Sequence, residues 1–204
     1  MQSAVPLRRT QEERSAETRE RLLDATLACL IEEGYARTTT TRVCERAGLS
    51  RGAQVHHFRR KADLVISAVA HLAARQAHEL RERAAALPED GDRLERLIDS
   101  IMELFAEPIF YAALELWTAA RTDPELLESV LEFERPAGRH LADVWRELAG
   151  SLADAPQFEA AMELTIHLAR GMGLQKILRP DDANRKRQLA VWKQTVTQML
   201  REGV

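Results

Sequence analysis

Residues 47 to 61 read Ala47-Gly48-Leu49-Ser50-Arg51-Gly52-Ala53-Gln54-Val55-His56-His57-Phe58-Arg59-Arg60-Lys61, and this stretch decides how the chain folds. Two short helical segments, Thr40–Ala47 and Arg51–Phe58, flank a Gly-Leu-Ser turn. That spacing predicts a helix-turn-helix, whose second helix lies in the DNA major groove while the first crosses the backbone. Thr39 and Ser50 are natural N-caps for the pair, because a hydroxyl oxygen can accept an unpaired amide at a helix start. The charge agrees. Between Tyr35 and Ala62, Arg37, Arg42, Arg46, Arg51, Arg59, Arg60 and Lys61 stand against one acid, Glu45. Seven bases less one acid leave about +6, in a chain whose net charge is -3.

Outward from this stretch, residues 1–62 carry twelve Lys and Arg against eight Asp and Glu, and the remainder 17 against 24. A basic N-terminal module before an acidic remainder predicts one nucleic-acid surface, not a general polyanion binder. At 204 residues, 45% hydrophobic and 30% charged, the chain can bury a core and is unlike a disordered one. Alternating β-branched runs and hairpin turns are absent, and Ala, Leu, Glu and Arg dominate, so the expected fold is all-α, with about nine to ten helices.

Residues 1–9 are expected to be disordered, 10–62 to form the helix-turn-helix domain (motif about 39–58), and 63–204 a second helical domain. The first helix starts at a capping box, Thr10 with Glu13, or later at Ser15. Its apolar stripe is Leu23, Leu27, Leu30 and Ile31, and Gly34 is a plausible stop. A long helix follows from Lys61 to about Ala86, and Leu87 to Asp92 is a linker-like break. Further helices are expected over Arg93–Ala106, Pro108–Arg121 and from Pro124 to Leu148, the last kinked or split at Pro136-Ala137-Gly138. Pro156–Leu178 and Ala183–Arg201 close the chain. Ala169, Gly171 and Gly173 suit close helix approach in the penultimate helix, and Leu189, Trp192, Val196, Met199 and Leu200 form one stripe in the last.

Other chemistries find little support. Cys29 and Cys44 belong to no CxxC or Cys/His pattern and read as buried thiols in a reducing cytosol. His71 and His78 lie seven apart, about 10.5 Å along a helix, too far to share one zinc. No metal site is expected. Phosphate-binding loop, dinucleotide fingerprint, HExxH and GxSxG motifs are absent, so neither a cofactor nor catalysis is expected. No signal peptide or apolar run of about 20 residues is visible, which predicts a cytoplasmic protein without a membrane partner.

Gly34-Tyr35, Thr38-Thr39, the run from Val43 to Ala53, His56-His57-Phe58 and Lys61-Ala62-Asp63-Leu64 together resemble the N-terminal domain of the TetR family of transcriptional regulators. The resemblance covers about residues 15–66 and is specific as a composite. It implies a homodimer on double-stranded operator DNA, with residues 63–204 sensing a small molecule and dimerising through the last two helices. A repressor released by its ligand is the expected form; activation needs the same contacts and stays open. By the same resemblance Thr40, with Thr41 beside it, and Lys61 meet phosphate, while His56 and His57 lie near backbone and bases.

Arg51 is the best base reader, since guanidinium pairs bidentately with guanine. Ala53 and Val55 are further DNA-facing positions; Val55 replaces a common family tyrosine and can touch a thymine methyl. Gln54 stands where the family is usually apolar, and either packs or reads adenine. A different reading makes the chain an all-helical binding protein or enzyme with a structural helix-turn-helix, but such a head has no need of one-sided basic charge.

Aromatic and thioether side chains on the central helices favour a pocket for a largely apolar effector. The candidates are Met102, Phe105, Phe110, Tyr111, Leu114, Trp117, Phe133, Trp145 and Met162. His167 is either a polar member of that pocket or an interface histidine. The candidate dimer interface takes Leu164, Leu168 and Gly171 from the penultimate helix and Leu189, Trp192, Val196 and Met199 from the last.

Overall fold

A computed structural model describes residues 10–85, 93–180 and 183–202. The described residues form α1 (Gln11–Arg37), α2 (Thr40–Ala47), α3 (Arg51–His57), α4 (Lys61–Ala85), α5 (Arg93–Leu104), α6 (Pro108–Ala120), α7 (Pro124–Ala149), a 3-10 turn (Gly150–Asp154), α8 (Phe158–Leu178) and α9 (Ala183–Glu202). They contain no strand, so the fold is all-α as expected. The segment 1–9 and the linker-like break at 87–92 lie outside the described residues.

Capping sets the boundaries of the first helices. Thr10 Oγ1 accepts the Glu13 amide at 3.1 Å while a Glu13 carboxylate oxygen accepts the Thr10 amide at 2.8 Å, so α1 begins at the earlier of its two candidate starts. Near its end Gly34 adopts φ 78° and ψ 170°, a conformation essentially reserved for glycine. The Thr38 amide then donates to the Gly34 carbonyl, and Thr39 Oγ1 receives the Arg42 amide to start α2. Gly48, at φ 63°, ends α2 in the left-handed region, and Arg21 of α1 donates to the Ala47 carbonyl at 2.6 Å.

Two compact units result. One runs to His71 and takes in Leu114–Leu131. Its core joins Leu22, Leu23 and Leu30 of α1 to Val43 and Cys44 of α2, Phe58, and Leu64 and Val65 of α4; Leu116, Leu126 and Val130 are also buried. Ile31, expected in the α1 stripe, is 42% exposed, and Leu22 faces inward in its stead.

The other unit comprises Leu72–Ala113 and Glu132–Val204. Ile98 and Ile101 of α5, Trp145 of α7, Phe158 and Ala161 of α8 and Val196 of α9 are among its best-buried apolar side chains. A Cβ on Gly173 would run into the Phe105 carbonyl and the Phe110 ring, so the bare glycine lets α8 lie against the turn after α5. Gly171 shows no such approach and is exposed. Of the kink or split expected at Pro136, the split does not occur: α7 is one helix from Pro124 to Ala149 with Pro136 inside it. Pro136 and Gly138 are both exposed, so the ring removes one helical amide without having to be accommodated in the core.

Candidate nucleic-acid interface

The start of α3 is built by Ser50, whose Oγ accepts the Ala53 amide at 3.2 Å. This orders the first turn and leaves Arg51 exposed. A guanidinium nitrogen of Arg51 donates to Thr41 Oγ1 at 3.1 Å, which brings together two of the candidate contacts from different helices. Val55 is 49% exposed and His56 is exposed beside it; Thr40, Ala53 and His57 are half-buried. The His56 and His57 rings meet edge to face with centroids 5.1 Å apart. Burial chiefly, then the charges of His56 and Arg19, holds the His57 imidazole below its ordinary range.

Gln54 resolves toward packing. It is 1% exposed, and its Nε2 donates to the Phe58 carbonyl at 2.5 Å, bracing the end of α3. An adenine reader would need that amide at the surface. Phe58 is buried as an anchor, with the Arg19 guanidinium 5.5 Å from its ring centroid.

Lys61 is half-buried, and its ammonium is already engaged. Nζ donates to the Tyr35 carbonyl at 2.6 Å and lies 3.8 Å from the centroid of the Tyr35 ring; burial lowers its pKa. The Tyr35 amide donates in turn to a Glu115 carboxylate oxygen of α6 at 2.9 Å. Neither Tyr35 nor Glu115 is a candidate by sequence, because the partners are 26 and 80 residues apart and leave no local pattern.

The basic run is also less bare than its composition suggests. Arg42 pairs with Glu33 at 2.6 Å and Arg46 with Glu32 at 2.5 Å, two acids just before the run. Arg60 pairs with Asp63, just after it, at 2.6 Å. The hydrogen bond from Arg46 holds the Glu32 carboxyl below its usual range, and Arg60 does the same for Asp63.

The candidate ligand-pocket residues fall in both units. Leu114 and Trp117 belong to the first, and the others to the second. Met102 and Phe105 line a cavity of about 40 Å³ together with Met172, Leu189, Lys176 and Arg185. That volume suits a few waters; clefts for drug-sized ligands are roughly ten times larger. Phe110, Trp145 and Met162 are buried core residues, while Tyr111 and Phe133 are half-buried. His167 is exposed, with Nδ1 2.7 Å from the Glu163 carbonyl of its own helix.

Among the candidate interface residues, Leu164 and Gly171 are exposed and Leu168, Leu189, Trp192 and Met199 half-buried. Val196 is fully buried within the chain and cannot face a partner. Its stripe turns inward because Trp192, one turn earlier, donates its indole N–H to Thr165 Oγ1 of α8 at 3.0 Å. Leu174, Ile177 and Val191 are exposed apolar residues on α8 and α9 outside the expected set. No cluster of His, Cys, Asp and Glu able to hold a metal occurs among the described residues, and none of their helices is long and apolar enough to cross a membrane.

Comparison with known proteins gives a consistent picture. The model for bacterial regulatory proteins of the tetR family matches residues 22–68. The HTH-type transcriptional regulator CymR of Pseudomonas putida is 32% identical over 180 residues, spanning 86% of this chain and 87% of CymR. The HTH-type transcriptional repressor AcnR of Corynebacterium diphtheriae is 29% identical over 121 residues, 57% of each chain. A crystal structure assigned to a transcriptional regulator of Pseudomonas aeruginosa PAO1 superposes with a TM-score of 0.65, at 26% identity over 96% of both chains.

Proposed function

Because the chain belongs to the TetR family of bacterial regulatory proteins, DNA-binding transcriptional regulators and not enzymes, we propose that it acts as a homodimeric repressor released from its operator by a small molecule. The observation that carries the DNA-binding end is the capped first turn of α3, with Arg51 exposed and braced by Thr41. In this reading residues 10–62 are the DNA-binding domain. Arg51 pairs with a guanine edge, Val55 touches a thymine methyl, and Thr40, Thr41, His56, His57 and Lys61 meet backbone and neighbouring bases.

Residues 63–204 sense the effector and dimerise. Exposed Leu164 and Gly171 on α8 support a partner helix there, with half-buried Trp192 and Met199 on α9 beside them. Paired heads must meet successive grooves about 34–36 Å apart, so a ligand that shifts them by a few ångströms releases DNA. The repressor named among the relatives supports the negative sign of control.

The test is an anisotropy titration of the full chain against the DNA upstream of its own gene, with and without a metabolite panel. Saturable binding by a dimer, reversed by one compound, is the expected result. Arg51→Ala should cost roughly 1–3 kcal/mol and relax one base position. A folded dimer that binds no duplex DNA refutes the proposal.

A further inference from the structure

The junction at the end of α1 ties together more of the molecule than its length suggests. Gly34 and Tyr35 lie within one residue of three attachments. The Thr38 amide and hydroxyl both donate to the Gly34 carbonyl, at 3.2 and 2.9 Å, just before Thr39 caps α2. The Tyr35 carbonyl accepts Lys61 Nζ from the head of α4. The Tyr35 amide donates to the carboxylate of Glu115 on α6. The same carboxylate sits over Gly34, 2.7 Å from where a Cβ would be. Only a glycine leaves room for it.

From this arrangement we propose that Glu115 is a positioning residue for DNA binding. Its carboxylate holds the Tyr35 N–H, and the carbonyl and ring of the same residue fix where the Lys61 ammonium is presented. An ammonium has three donors, and the Tyr35 carbonyl takes one, so a phosphate can still be met without breaking the hold. A lysine held in one place also loses less rotamer freedom on binding than one swinging in water. Glu115 is exposed, carries no bulk into the core, and lies on a helix outside the DNA-binding sequence. Its bond to an N–H near the end of α1 is therefore its visible contribution to the head.

The inference rests on the reading of Lys61 as a phosphate contact, and one experiment separates the two. Binding of labelled duplex DNA by the full chain is measured across a salt series for the unaltered protein, Lys61→Ala, Glu115→Ala, Glu115→Gln and the Lys61→Ala/Glu115→Ala pair. Thermal melts confirm that each variant is folded. Lys61→Ala should weaken binding to all sequences alike and reduce the salt slope by about one.

Glu115→Ala should weaken binding severalfold, in the same sequence-independent way, and lower the slope in the same direction. Glu115→Gln should restore most of the loss, since an amide oxygen also accepts the Tyr35 N–H. In the Lys61→Ala background, Glu115→Ala should have little further effect. Multiplying losses, a silent Glu115→Ala, or a Gln variant as weak as Ala overturns the role of Glu115 while leaving Lys61 as a phosphate contact. Full-strength binding by Lys61→Ala overturns the phosphate reading, and the proposal for Glu115 with it.

Discussion

At the scale of single residues, the recognition helix separates its reading face from its anchoring face. Arg51, Val55 and His56 point outward, whereas Gln54 and Phe58 are buried one turn apart. Gln54→Leu removes the donor to the Phe58 carbonyl and should destabilise the fold by about 1 kcal/mol in urea denaturation, without reordering operator preference. His57 gives a pH prediction. Its folded pKa is depressed, so the unfolded chain takes up the proton first as pH falls past about 6.5. The stability His57 confers is fully present above that pH and is lost as pH falls toward the folded value. Melting temperatures between pH 8 and 5.5 should show this decline, and His57→Gln should flatten it. Gln54 also shows where sequence runs out: a polar residue beside Phe58 could pack or read, and only its burial decides.

Helix ends were the most legible elements, because a cap is a contact between residues three or four apart. Thr10 with Glu13, Thr39 and Ser50 all cap where their chemistry predicts. Facing was less legible. The doublets Leu22-Leu23 and Leu30-Ile31 each place two apolar residues about 100° apart on the helix, so periodicity accepts either member, whereas the core takes both of the first pair and only Leu30 of the second. The end of α1 is open to test at this scale. Gly34→Ala should cost roughly 1–3 kcal/mol, because the side chain meets both an unfavourable backbone conformation and the Glu115 carboxylate. Adding Glu115→Ala should recover the contact part alone, which a urea-denaturation cycle would show.

Over the whole molecule, family and fold followed from one composite motif, but charge did not follow from counting. Three of the seven bases between Tyr35 and Ala62 are held by carboxylates flanking that window. Tertiary pairing between α1 and α2, invisible to a tally along the chain, accounts for two of them. Four remain: Arg37, Arg51, Arg59 and Lys61. With Arg51 given to a guanine edge, three are left for phosphate, so the slope of log affinity against log salt should lie near -3 per head, at about -0.9 per phosphate neutralised, instead of near -5. Titrations from 50 to 300 mM salt measure it directly. The ligand site was less legible still, since aromatic content locates a core and a pocket equally well.

The chain's two cysteines, Cys29 and Cys44, both lie in the core around α1 and α2 and are nearly inaccessible, and burial pushes both thiols up in pKa. A thiol reagent can therefore reach them only during moments when those helices part. Their rate of alkylation is a native chemical clock for the opening of the DNA-binding head. Because the rest of the chain has no cysteine, that clock needs no introduced label and reports on one end of the protein alone.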